Sequence, residues 1–212
     1  MKIKIKMKVI KIIPIPQQSD KATLIGMSGS GKTTLMKYII DHSNYKNGFI
    51  IDTVNYFSNL INSRFDIDYS GITGKYHNYT IVKIHSELQL EGLIRYLRKK
   101  LPNSPYFLII DEIDRYTNPN HLMRYTKIYL EEGRNYNQGG LFSVRRIGFL
   151  NKSILGNSKY IYIFKTNNVN DKNYLSNITG LNFNNLEWSN SHSFHVFNLL
   201  SSEYLGEFLL KL

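Results

Sequence analysis

The sequence predicts an α/β domain of three layers, with a mainly parallel central sheet, a basic strand at its N-terminal edge and a β-hairpin at its C-terminal end. Three observations predict it. Short β-type runs alternate with segments of helical periodicity along the chain, the pattern of parallel strands joined by right-handed crossovers. One run, Tyr106–Ile110, is almost entirely apolar, as befits a central strand covered on both faces. The 212 residues include 14 Gly and only 5 Pro, enough chain for one substantial core and no long linker to divide it.

The elements follow in order. Met1–Ile10 alternates Lys2, Lys4, Lys6 and Lys8 with Ile3, Ile5, Met7 and Val9, a half-buried strand with a lysine face. That face either protects a sheet edge or touches nucleic acid. Pro14 and Pro16 end it. Lys21–Ile25 is a short strand, and Thr33–His42 a helix with Leu35, Met36, Ile39 and Ile40 on one face. Gly48–Asp52 and Tyr79–Ile84 read as strands, and the polar, glycine-bearing stretch between Tyr69 and Tyr79 as a loop on the surface or in a pore. Ser86 opens a helix, with Gln89 as its capping-box partner. Leu90, Leu93, Ile94, Leu97 and Leu101 form its buried stripe. Asn118-Pro119 is expected to start the next helix and Gly133 to end it. Gly140–Val144 and Tyr160–Phe164 are strands, and Phe194–Leu199 with Tyr204–Leu210 the hairpin. His192 and His195 face opposite ways on a strand and read as structural.

Charge narrows the partners. Lys plus Arg number 27 against 16 Asp plus Glu, a net +11, which draws polyanions such as nucleic acid or an acidic membrane surface. Absence of cysteine excludes disulfides, thiolate zinc and a cysteine nucleophile. No apolar run spans a bilayer, and the lysine-punctuated N-terminus lacks the apolar centre of a signal peptide. The expected location is the cytoplasm.

The chemistry begins at Gly26-Met27-Ser28-Gly29-Ser30-Gly31-Lys32-Thr33, followed by Thr34. It matches G-x-x-x-x-G-K-[ST] between a strand and a helix, the context the motif needs. The glycines let backbone N–H groups curl around phosphate oxygens at a helix N-terminus. Lys32 reaches the β- and γ-phosphates, and Thr33 offers its hydroxyl to Mg²⁺. The expectation is a RecA-like P-loop nucleoside triphosphatase that binds ATP or a similar nucleotide with Mg²⁺. Asp111 and Glu112 end the apolar strand. Asp111 can hold a Mg²⁺-bound water, and Glu112 can polarise the attacking one; the pair could also simply cap a helix. Arg134, Arg145 and Arg146 suit either neutralisation of phosphoryl charge or a solvated surface.

Taken in order, Gly26–Thr33, Leu108–Glu112, Glu132–Arg134, Val144–Arg146 and Ile154–Phe164 resemble the FtsK–HerA superfamily of DNA-pumping ATPases. The likeness spans roughly residues 20–200 and is greatest to the compact viral genome-packaging branch, from viruses with archaeal hosts or internal membranes. The resemblance implies a single motor domain, residues 19–212 with a strand extension over 1–18. It also implies a homo-oligomeric ring, pentamer or hexamer, that threads double-stranded DNA without regard to sequence. A capsid or capsid-membrane protein is an implied partner, and host cytoplasm or virion the implied location. Arg134 matches a trans-acting arginine finger. Arg145 falls where cellular relatives carry a sensor Gln, but Arg145-Arg146-Ile147 departs from their Gln-Arg-Pro. Two alternatives remain: a cellular or plasmid DNA pump of the same superfamily, or a nucleotide-switched DNA- or capsid-binding protein with little turnover. Glu112 argues against the latter, and a small-molecule kinase would want a substrate insertion and an arginine-bearing lid that are not identifiable.

Overall fold

The computed structural model describes residues 12–53, 55–57, 72–76 and 79–210. The predicted N-terminal strand lies outside them. Nine strands among the described residues form one sheet, in the order β3-β4-β2-β5-β6-β1-β7-β8-β9. These are β1 (Lys21–Ile25), β2 (Gly48–Ile51), β3 (Ile72–Tyr76), β4 (Tyr79–Val82), β5 (Tyr106–Ile110), β6 (Gln138–Val144), β7 (Tyr160–Phe164), β8 (Ser193–Asn198) and β9 (Glu203–Leu209). The stretch from β4 to β7 is parallel, while β3, β8 and β9 run antiparallel at the two ends.

Alternation along β5 explains the layers. Phe107 and Ile109 enter one apolar cluster with Leu35, Met36, Ile39 and Ile40 of α1 (Lys32–Asp41). Tyr106, Leu108 and Ile110 enter the other. That cluster takes Leu90, Ile94 and Leu97 from α2 (Glu87–Lys100), Tyr129 and Leu130 from α3 (Arg124–Glu132), Ile154 and Leu155 from α4 (Lys152–Gly156) and Leu175 from α5 (Val169–Thr179). Leu93 and Leu101 are only partly buried against it. Burial of an aliphatic side chain contributes about 1.5–3 kcal/mol, so both faces of β5 contribute to the core.

Two expectations need correction. Ile72–Tyr76 is not loop but an edge strand antiparallel to β4, because backbone pairing overrides its polar composition. The helix expected from Asn118-Pro119 starts only at Arg124. Asn118 instead folds a tight turn, its Oδ1 accepting from Asn120 N at 2.9 Å. The cap of α3 comes from α2: Glu91 accepts from Tyr125 N and Thr126 N at 2.7 and 2.9 Å, satisfying orphan donors with a carboxylate no local motif contains. Gly133 ends α3 as expected, standing as its C-cap. It stays right-handed and leads into a 3₁₀ turn over Gly133–Tyr136, which Asn137 ends at φ 55°. Ser86 caps α2 as expected, its Oγ accepting from Gln89 N, while Gln89 Oε1 reaches one residue beyond the cap to accept from His85 N.

Candidate active site

β1 delivers the loop. Gly29 and Gly31 take φ 75° and 103°, left-handed values that glycine adopts without a Cβ penalty. Gly26 has no room for a side chain: a Cβ there would come 2.6 Å from Phe164 Cβ. Lys32 opens α1 and folds back, donating to Gly26 O at 2.7 Å and Met27 O at 2.8 Å. Ser30 Oγ is buried and has no hydrogen-bond partner among the described residues, which suits a loop built to meet phosphate oxygens. The loop opens on a cleft of about 260 Å³ lined by Lys32, Thr33, Thr34, Asp111, Glu112 and His192, among others.

The acidic pair does not sit on the strand next to β1; β6 lies between. Ser143 of β6 bridges that gap. Its Oγ donates to Asp111 Oδ1 at 2.5 Å and accepts from Glu112 N at 2.8 Å. Burial, opposed by the Ser143 hydrogen bond and the Lys32 ammonium, holds the Asp111 carboxyl above its usual range. The same desolvation lowers Lys32. Glu112 stands at φ 54°, an uncommon conformation for a residue with a Cβ and one met at functional sites. Arg115 Nε lies 2.6 Å from its Oε2 and Arg145 Nε 3.5 Å from its Oε1.

The three arginines therefore part company. Arg145 reaches Glu112 and, at 3.8 Å, Asp114. Arg146 turns away to Asp171 in the first turn of α5, at 3.4 Å. Arg134 precedes β6, at the sheet edge opposite the loop, and lines a separate pocket with Lys21 and Lys159.

The family model for ATPases associated with various cellular activities (AAA) matches residues 22–171. The chain belongs to the AAA ATPase family. No curated protein matches it by sequence. Among solved structures, the genome packaging NTPase B204 of Sulfolobus turreted icosahedral virus 2 with AMPPCP aligns at TM-score 0.72 and 20% identity, covering 92% of this chain and 100% of that chain. Its sulfate complex aligns at TM-score 0.72 and 19% identity, covering 95% and 99%. EssC ATPases 2 and 3 from Geobacillus thermodenitrificans align at TM-score 0.62 and 10% identity, covering 85% of this chain but 38% of that one. At these identities the likeness establishes the fold. The protein is an ATP-binding P-loop ATPase, and no helix among its described residues is long and apolar enough to cross a membrane.

Two residues of this AAA ATPase's site were not legible beforehand. His192 was read as a structural strand residue; it precedes β8, is exposed, and lines the cleft beside Gly31. His195 is buried, its Nδ1 2.7 Å from the Tyr204 hydroxyl. Ser143 carried no signal, because one serine in an apolar strand names no partner. Removing its hydroxyl leaves a buried carboxylate and a backbone N–H short of a bond each, worth about 1–3 kcal/mol. Ser143→Ala is expected to lower kcat about 10-fold or more while ATP affinity, measured by titration calorimetry, stays within a few-fold. Unchanged kcat would remove Ser143 from the positioning of Asp111 and Glu112.

Proposed function

We propose that this ATPase is a double-stranded DNA translocase that packages a viral genome into a capsid, working as a homo-oligomeric ring. The observation that carries the reading is the end-to-end likeness to B204, described as a genome packaging NTPase, which aligns over its whole length. The larger EssC is matched over little more than a third. The +11 net charge supports a polyanionic partner.

In the mechanism, backbone N–H groups of Gly29–Thr34 and the Lys32 ammonium hold the ATP phosphates. Thr33 and Asp111 line one cleft, and a hydroxyl with a single carboxylate fits Mg²⁺, which takes few protein ligands beside phosphate and water. No cluster of three metal-ligating side chains exists among the described residues, in keeping with that mode. Bound there, the ion would neutralise charge on the β- and γ-phosphates. Glu112 accepts a proton from a water as its oxygen bonds the γ-phosphorus. The bond from γ-phosphorus to the β,γ-bridging oxygen breaks, releasing ADP and phosphate. Arg145 orients the Glu112 carboxylate. Arg146, engaged with Asp171, is assigned to the fold rather than to phosphate. Arg134 acts on a neighbouring subunit.

Nothing in the sequence suggests reading of base edges, so phosphate contacts would supply the affinity. Binding to double-stranded DNA is expected to ignore sequence and to fall about 10³-fold or more between 50 and 200 mM salt, the loss for six or more phosphate contacts. ATPase rates with and without DNA, beside the oligomeric mass, test the translocase directly. No DNA binding at low salt, or no stimulation by DNA in the assembled ring, would overturn the proposal.

A further inference from the structure

Lys21 has no part in the chemistry above, yet among the described residues it is an unusually placed cation. It begins β1 and is 3% exposed. Its ammonium, with three N–H donors, has one hydrogen-bond acceptor among the described residues, the Gln138 carbonyl at 3.4 Å, and lies 5.1 Å from the centre of the Tyr129 ring. An ammonium so buried ordinarily sits on a carboxylate. The one nearby, Asp20, is engaged by Lys159 at 2.9 Å. Glu131 on the pocket rim is 4.0 Å from Lys127. What faces Lys21 across the pocket is a second cation, Arg134, whose guanidinium makes no ion pair or hydrogen bond among the described residues.

The space between them is shaped for something small and polar. Lys21, Arg134, Ser158, Asn157 and the Asp20–Lys159 pair line a pocket of about 370 Å³. Gly133 leaves room for the Lys21 ammonium, since a Cβ there would lie 3.3 Å from Lys21 Nζ and 2.9 Å from Gln138 O. Two like charges whose nearby carboxylate, Asp20, is already held by Lys159 are unfavourable together, and an anion seated between them removes the repulsion and fills vacant donors at once.

We propose that this pocket, at the sheet edge opposite the phosphate loop, binds a phosphate group between Lys21 and Arg134. Two sources share that chemistry: free inorganic phosphate, and the terminal phosphate of a nucleotide held by a second copy of the chain. Desolvation, with Arg134 adding to it and Asp20 opposing, brings the Lys21 ammonium down to about 8. The cation is therefore present at neutral pH and lost as pH rises through about 8, and the site empties in the same direction.

The test titrates inorganic phosphate into the full chain at a concentration where it is monomeric, with a non-hydrolysable ATP analogue already saturating the loop. Binding is expected, weaker by about 10-fold or more in Lys21→Met and in Arg134→Ala, and declining from pH 7 to pH 9 in the wild type. Methionine matches the lysine stem in an apolar setting, so a folded variant is expected, and circular dichroism checks it. No binding, or binding indifferent to both substitutions, overturns the proposal. Sedimentation with the ATP analogue against ADP separates the sources. Association that needs both the γ-phosphate and Lys21 identifies the neighbour's nucleotide. Phosphate binding with association indifferent to Lys21 identifies free phosphate. The site stands even if Arg134 proves not to be a finger, because phosphate titration and hydrolysis are read separately.

Discussion

Glu112→Gln is expected to bind ATP as the wild type does and to hydrolyse it about 10²–10⁴-fold more slowly, the usual worth of a positioned general base. The amide keeps the side chain's shape and one of the two oxygens that meet Arg115 and Arg145, but cannot take a proton from water. The backbone at Glu112 is already fixed by its N–H bond to Ser143, so the substitution changes chemistry without moving the residue. Single-turnover hydrolysis beside equilibrium nucleotide binding separates the two effects. Turnover at the wild-type rate would remove Glu112 from the hydrolytic step, and Asp114, buried and held above its usual range by desolvation, would become the next candidate.

Arg134→Ala is expected to cost about 10³–10⁵ in turnover, the range of a finger supplied in trans. The fold gives the reason. Arg134 precedes β6 and lies by Lys21 at the start of β1, whereas the loop follows Ile25 at the other end of that five-residue strand. At about 3.3 Å per residue, some 13 Å or more of strand separates Arg134 from its own phosphates. Arg134→Ala subunits retain an intact phosphate loop and Glu112, while Glu112→Gln subunits retain Arg134. Mixing the two inactive proteins should therefore restore hydrolysis at interfaces that pair a good finger with a good site. ATPase activity across mixing ratios, with DNA present and subunit exchange confirmed, reads this out. No recovery at any ratio would confine Arg134 to its own subunit and shift attention to Arg145, which already touches Glu112.

Local signals made much of this molecule legible. The glycine-rich loop, the apolar strand with its acidic end and the Ser86 cap each lie within a few residues, and each stands where expected. What escaped depends on partners distant in sequence. Glu91 caps α3 from 34 residues away, so the sequence around Asn118 attracted the helix start instead. Gly133 ends α3 as expected, but its second use, clearance beside Lys21 and Gln138, has no local mark. Ile72–Tyr76 is a strand because β4 pairs with it, which its composition does not advertise.

The position of β1 has a consequence for synthesis. Chain emerges from the ribosome N-terminus first, yet β1 at residues 21–25 is flanked by β6 and β7, at residues 138–144 and 160–164. Its two hydrogen-bonded neighbours are both made more than a hundred residues after it. Until then the glycine-rich segment hangs from a strand with no sheet to join, and the nascent chain carries an apolar Ala22-Thr23-Leu24-Ile25 run with both edges open. Contacts of such long sequence separation also make folding slow. ATP competence therefore arrives only after β6 and β7 have been made, and the period before it is when this protein is most exposed to aggregation.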